Sequence, residues 1–285
     1  MLNSYGVRES TVVHNEAERH AEEIRVFGYT IVPGLLTPDR LPSVRQALDR
    51  LYQSQADAIG GEEFLRKIQD TNVVRCPLVE DRLFLELATH PRLLAVIQTL
   101  LGDYFILNQQ NGVINPPNRE FTQAAWHRDL AYQHFVVSRP LAISALWCLD
   151  DFNEVTGGTS VLPASHHTEP FPSAEYIAAH EKTIVAGAGD ALVFDSMVFH
   201  RAGHNRSPGV RRGLNHMYSL PFLKQQISLP QALNGRYRDD PFLAKFLGYE
   251  SEPGESALEW RRRRLARLSS AGQPSQGSPG AVGKS

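Results

Sequence analysis

Ala125-Trp-His-Arg-Asp-Leu-Ala131 and Gly189-Asp-Ala-Leu-Val-Phe-Asp-Ser-Met-Val-Phe-His200 are the two stretches whose reading decides the fold of this 285-residue chain. The first reads as a strand. On a strand, positions i and i+2 share a face, so the His127 imidazole and the Asp129 carboxylate converge on one point. The second leaves a Gly-rich turn, runs as an apolar strand over 191–194 and delivers His200 at its end. Around them, segments at 105–114, 141–149, 159–161, 183–185 and 211–220 read as further short strands, separated by Gly, Pro and Asn clusters. Upstream the period changes. Ala17, Ala21, Ile24 and Phe27 fall at helical spacing, with Gly28 as the stop. A strand follows at 29–32. A second helix starts at Thr37-Pro-Asp39 and runs to Ala58, and a third region, 80–101, divides at Pro91. The last helical segments are 229–246 and 257–268. Helices first and many short strands afterwards predict an α+β chain with a mainly β core. The fitting architecture is a cupin-like jelly roll, or double-stranded β-helix, with helices packed on one side. The expected domains are a flexible tail over 1–14, one domain over 15–268 and a disordered Ser/Gly/Gln/Pro-rich tail over 269–285.

Composition excludes several classes. Hydrophobic content of 42% and charged content of 21% are those of a globular chain, and the net charge of −2 offers no basic footprint for nucleic acid. Cys76 and Cys148 are too few for a disulfide scaffold and fit a reducing, cytoplasmic setting. No apolar run approaches the ~18 residues of a membrane span, and the first residues lack a signal-peptide core. The four arginines at 261–264 read as a solvated helix face.

An H-x-D pair alone is weak. With His200 it makes two imidazoles and one carboxylate on one face of a metal, the ligand set of non-haem Fe(II) oxygenases. The cluster Asn205-Arg-Ser-Pro-Gly209 reads as the turn of a hairpin, from which 211–218 returns as the next strand. That hairpin sets an arginine beside His200, and a planar guanidinium suits bidentate pairing with the carboxylate of a co-substrate. Only one of Arg211 and Arg212 can face the site, because neighbours on a strand point to opposite sides. His204 and His216 flank the hairpin and read as non-ligating.

These segments together resemble the phytanoyl-CoA dioxygenase family of Fe(II)/2-oxoglutarate-dependent oxygenases. The resemblance rests on Phe27-Gly-Tyr-Thr-Ile-Val-Pro-Gly-Leu-Leu36, His127-Arg-Asp129, Trp147, Thr156-Gly-Gly-Thr-Ser-Val-Leu-Pro-Ala-Ser-His166 and His200 through Arg211, and so spans nearly the whole ordered chain. It implies Fe(II), 2-oxoglutarate and O2 as cofactors, with His127, Asp129 and His200 as iron ligands. It further implies Arg211 as the grip on the distal carboxylate of 2-oxoglutarate and Trp147 as an aromatic beside it. One position departs from the family pattern: Ala202 stands where a serine often contributes to the co-substrate site. Asn108 and Gln110, alternating on one strand, are candidates to replace it. The intact Asp129 argues against halogenation, which in such families goes with loss of this carboxylate.

The expected substrate is a small organic molecule, oxidised, and by default hydroxylated, at a C–H bond. Arg75, Arg119, Tyr132 and Arg139 are candidate substrate contacts at the mouth, and together with Arg128 the arginines would give it positive character. Two other classes stay open: a cupin-like metal hydrolase or isomerase, which has no use for Arg211, and a non-catalytic ligand-binding member. Oligomeric state is not legible in the residues.

Overall fold

A computed structural model describes residues 6, 10–119 and 121–271. Asn15 caps the first helix, α1 (Glu16–Phe27), by accepting from the Glu18 N–H at 3.0 Å. Gly28, at φ +87°, ends it, and the chain turns directly into β1 (Tyr29–Val32). Three further helical pieces follow with one strand among them: α2 (Leu41–Ala58), α3 (Glu62–Lys67), β2 (Val73–Arg75) and α4 (Arg82–Ala88). Pro91 opens α5 (Pro91–Leu101), as its missing N–H allows at a first helical position. The strands β3 (Ile106–Asn115), β4 (Ala142–Cys148) and β5 (Ser160–Val161) lead to α6 (Ala174–His180), β6 (Lys182–Thr183), β7 (Ala191–Asp195), β8 (His200–Arg201) and β9 (Arg211–Ser219). Short helices α7 (Leu229–Ala232) and α8 (Pro241–Phe246) close the compact unit that ends at Tyr249. Residues 250–271 belong to a second unit, which contains α9 (Ala257–Ala271). Of the expected tails, 1–5, 7–9 and 272–285 lie outside the described residues, whereas 269–271 are helical.

Among the described residues there are two antiparallel sheets, one of six strands ordered β1-β7-β4-β9-β3-β2 and one of three ordered β6-β5-β8. β4 is buried at every position, which explains why it reads as a near-continuous apolar run rather than an alternating one. Its Ile143, Ala145 and Trp147 join the large core formed with the helices, while Leu146 and Cys148 join a second cluster with Phe152, Val161, Leu192, Phe194 and Val198. The six-stranded sheet therefore has a helix-covered face and an inner face, and the functional side chains lie on the inner one.

Two expectations are corrected. Residues 125–129 form no strand; His127 and His200 make a single bridge of reciprocal N–H···O bonds, both 3.0 Å. The ladder stops there because the Asp129 and Leu130 N–H groups both turn to the Ser196 carbonyl. Nor does His200 end the strand that begins at 191. The Asp195 carboxylate accepts from the Met197 N–H at 2.9 Å and its carbonyl from the Val198 N–H at 2.8 Å, a turn that carries the chain from β7 to β8 in the other sheet. Arg211 is thus not the hairpin neighbour of His200: β9 pairs with β4 and β3.

Candidate metal and co-substrate site

His127, Asp129 and His200 each offer one ligand atom within 4.8 Å of the others. Asp129 Oδ1 lies 3.5 Å from His200 Nε2 and 3.9 Å from His127 Nε2. Each imidazole turns Nδ1 to a carbonyl two residues earlier, Ala125 at 2.8 Å and Val198 at 3.0 Å. A nitrogen facing a carbonyl carries the proton, so each neutral ring presents a free Nε2 lone pair to the shared point. Burial works against charge on Asp129, but the His200 and His127 rings and the Ser144 hydroxyl outweigh it and hold the carboxyl well below its usual range. Burial likewise works against a charged His200, yet Asp129 raises its pKa; His127, pushed down by burial and by His200, moves the other way. Two lone pairs and one ionised oxygen fit a divalent metal with open positions.

The second carboxylate oxygen, Oδ2, accepts from Ser144 Oγ at 2.5 Å and from Asn215 Nδ2 at 2.9 Å. Ser144 is in turn 2.8 Å from Ser196 Oγ.

Arg211 shares the pocket with these groups, together with Thr159, Leu146, Phe194 and Ala202. Its guanidinium is buried, 4.2 Å over the Phe152 ring, and donates through Nη2 to the Gly157 carbonyl at 2.8 Å. Among the described residues its Nε has no partner and no carboxylate comes within ion-pair distance of it. Burial pulls its pKa down to about 10. An uncompensated buried cation is costly, and an anion entering this pocket would offset the cost. Gly157, at φ +72°, lets the backbone pass close to Gly203: a Cβ there would lie 2.5 Å from the Gly203 carbonyl oxygen.

The structure brings together His127, Asp129, His200 and Arg211, and not the other co-substrate candidates. Trp147 and Gln110 point to the opposite face, and Asn108 sits at a bulge of β3, between Leu107 and Gln109, where its amide is engaged by other partners. Trp147 Nε1–H donates to His216 Nδ1 at 3.1 Å and its ring meets His90 edge-on. Gln110 is tied to Leu78 and Phe84, and Asn108 to Ser219 and the 223–224 backbone. Arg75 lies on the pocket's face, in register with Asn111 and through it with Asn215, but its guanidinium is paired with Asp70. Arg119 and Arg139 are exposed, and Tyr132 is 96% exposed on the loop after Asp129. Arg128 is engaged by the carbonyls of Met197, Ser165, Thr168 and Glu169, so its donors are turned to the backbone. Arg212 faces outward, paired with Asp49 and Asp150. Sequence reasoning missed Ser144, Thr159 and Asn215. Asn215 was findable, because two-residue steps from Arg211 lead to it along β9.

The model of the family described as phytanoyl-CoA dioxygenase matches residues 24–213 of this chain. An uncharacterized protein of Mycobacterium tuberculosis, Rv1501, is 30% identical over 219 residues, 74% of this chain and 78% of that protein. The α-ketoglutarate-dependent epimerase SnoN, solved with Fe3+, α-ketoglutarate and nogalamycin RO, is similar with a TM-score of 0.57 at 22% identity, over 72% of this chain and 84% of that one. EctD from S. alaskensis, solved with 2-oxoglutarate and 5-hydroxyectoine, is similar with a TM-score of 0.61 at 20% identity, over 77% and 80%. At these identities the two structures speak for a shared fold.

Proposed function

The chain belongs to the phytanoyl-CoA dioxygenase family, and from that premise we propose that it is an Fe(II)- and 2-oxoglutarate-dependent oxygenase built on a jelly-roll core. It oxidises, and by default hydroxylates, a C–H bond of a small organic molecule with release of succinate and CO2. One observation carries the reading: two imidazoles and an ionised carboxylate share a pocket with a buried guanidinium that has no anionic partner. A hydrolytic metal site would use the first three groups and leave Arg211 without a purpose.

His127 Nε2, Asp129 Oδ1 and His200 Nε2 would hold the metal. The bound iron supplies oxidation of the substrate by O2, driven by decarboxylation of the 2-oxo acid. Arg211 binds the distal carboxylate, with its free Nε–H as one donor; the Thr159 hydroxyl stands in the same pocket, where Ala202 offers none. Leu146 and Phe194 wall the pocket with apolar surface and limit water beside it. SnoN and EctD were solved with dissimilar small molecules, so family membership does not select the substrate.

Anaerobic titration of Fe(II)-loaded protein with 2-oxoglutarate tests this. The expected result is a visible charge-transfer band at roughly 500 nm, the mark of a 2-oxo acid chelated to facial-triad iron. Bound metal with no band would shift the assignment to a hydrolase or isomerase.

A further inference from the structure

We propose that Ser144 and Asn215 are positioning residues that clamp Asp129 by its Oδ2, so that the carboxylate meets a metal through Oδ1 alone. The inference rests on the His127, Asp129 and His200 reading and adds to it how many positions the site keeps open.

The two oxygens of Asp129 have separate surroundings. Oδ1 faces both Nε2 atoms, at 3.5 and 3.9 Å. Oδ2 faces two donors, the Ser144 hydroxyl at 2.5 Å and the Asn215 amide at 2.9 Å. An ionised carboxylate only accepts, so the single Ser144 proton points at Asp129, and Ser196 must then donate to Ser144 Oγ, 2.8 Å away. The relay therefore has one direction. The Asn215 amide is equally fixed: turning it over would set its oxygen against the carboxylate. In the orientation it holds, Oδ1 is buried without a partner, a cost the structure accepts while keeping the Nδ2–H on Asp129.

The clamp is also rigid. Register pairs Asn215 with Leu146 and Met217 with Ser144, so Ser144 and Asn215 are diagonal neighbours on the inner face of adjacent strands β4 and β9. The backbone around Asp129 is held by one bridge, at His127, and by two bonds to the Ser196 carbonyl, and the Arg128 side chain ties the segment to the carbonyls of Met197, Ser165, Thr168 and Glu169. Through its two donors to Oδ2, the sheet sets the carboxylate's direction. The chemical consequence concerns vacancy. A carboxylate free to chelate would take a position that a bidentate 2-oxo acid or O2 needs; with Oδ2 engaged, that position stays open.

Ser144→Ala, Asn215→Leu and the double variant would be loaded anaerobically with Fe(II) beside the parent. Fe(II) affinity is read by chelator competition, 2-oxoglutarate affinity from the visible band, and folding from the unfolding midpoint of metal-free protein. The expected result is a fall in 2-oxoglutarate affinity of roughly tenfold or more in the double variant, with smaller falls in the singles, while Fe(II) affinity is kept or tightened. A 2-oxoglutarate affinity within about twofold of the parent would overturn the clamp, as would loss of Fe(II) affinity with the co-substrate affinity of the loaded protein unchanged. Should the double variant not fold, Asn215→Leu alone carries the same test, because Asn215 lines the pocket. A parent with Fe(II) bound and no band overturns the co-substrate reading and the clamp together; a parent with the band and unchanged variants overturns the clamp only.

Discussion

Arg211 is buried, and among the described residues its Nε has no partner and its guanidinium bonds the Gly157 carbonyl alone, so its role can be separated from that of the metal ligands. Arg211→Ala is expected to raise the 2-oxoglutarate requirement about tenfold to a hundredfold, the loss of a charge-assisted pair, with Fe(II) affinity unmoved. Parallel titrations of metal and co-substrate check this, and an equal response to both would count against the assignment. Trp147 poses the opposite case. Its indole donates to His216 on the helix-covered face, so Trp147→Phe should cost about 1–3 kcal/mol of stability by leaving a buried nitrogen unpaired, with 2-oxoglutarate affinity unchanged. Weakened co-substrate binding at full stability would put the ring in the site after all. The difference between the two residues shows what the sequence carries. His127 and Asp129 were legible as a pair of ligand-type residues, although the strand expected to join them is a single bridge, and the adjacency of Arg211 and Arg212 on β9 allowed only one of them to face inward. Trp147 was placed by resemblance without its strand parity, which the buried neighbours Ser144, Leu146 and Cys148 fix. Thr159 precedes a two-residue strand, too short for any period to show.

At the scale of elements, the longer helices and most strands were legible, whereas the short helices α3 and α6 were not. The apolar spacing of the longer helices, the Gly28 stop and the break at Pro91 are local signals, and they reappear in α1, α4 and α5. The corner between β7 and β8 was not legible, because it depends on the Asp195 side chain capturing the Met197 N–H rather than on any apolar pattern. The sheet change at that corner is what sets His200 across the pocket from Arg211. A second device of this kind is the passage of Gly157 and Gly158 against Gly203, where the Gly203 N–H meets the Gly158 carbonyl at 3.1 Å. Gly157→Ala would place a methyl 2.5 Å from a backbone oxygen at φ +72°, in a backbone region costly for any other residue. The expected outcome is a loss of about 1–3 kcal/mol together with weaker 2-oxoglutarate binding, since the carbonyl that holds Arg211 must shift. Denaturant melts and the visible band measure both; a stable variant with unaltered binding would show that the glycine serves neither.

For the whole molecule, the burial that makes the core also makes it sensitive to acid. His216 is fully buried, and burial pushes its pKa down to about 3. Its ring nitrogens face Trp147 Nε1–H at 3.1 Å and the Gln110 amide nitrogen at 2.7 Å, so an added proton finds no acceptor. Burial, and then the neighbouring His167, bring His166 down to about 4. Both stay neutral in the fold, while in the unfolded chain they titrate near ~6.5. Below that pH the unfolded chain binds protons that the folded one refuses, and stability falls as pH falls. Asp195 acts in the reverse sense. Burial raises it to about 6, so below that pH the folded state holds a proton that the unfolded chain still lacks, and stability is gained on acidification. His20 and His90, pushed down chiefly by burial, side with His216 and His166. His127, pushed down by burial, adds to the loss and the raised His200 offsets it, so between roughly pH 6 and pH 4 the unfolded chain holds an excess on the order of one proton, a loss of about 1.4 kcal/mol per pH unit. Urea midpoints of the metal-free protein at pH 7, 6, 5 and 4.5 would display it as a steady fall below pH 6. A flat profile would mean that the histidines of the core accept protons without unfolding, and that the Trp147, His216 and Gln110 chain is looser than its distances imply.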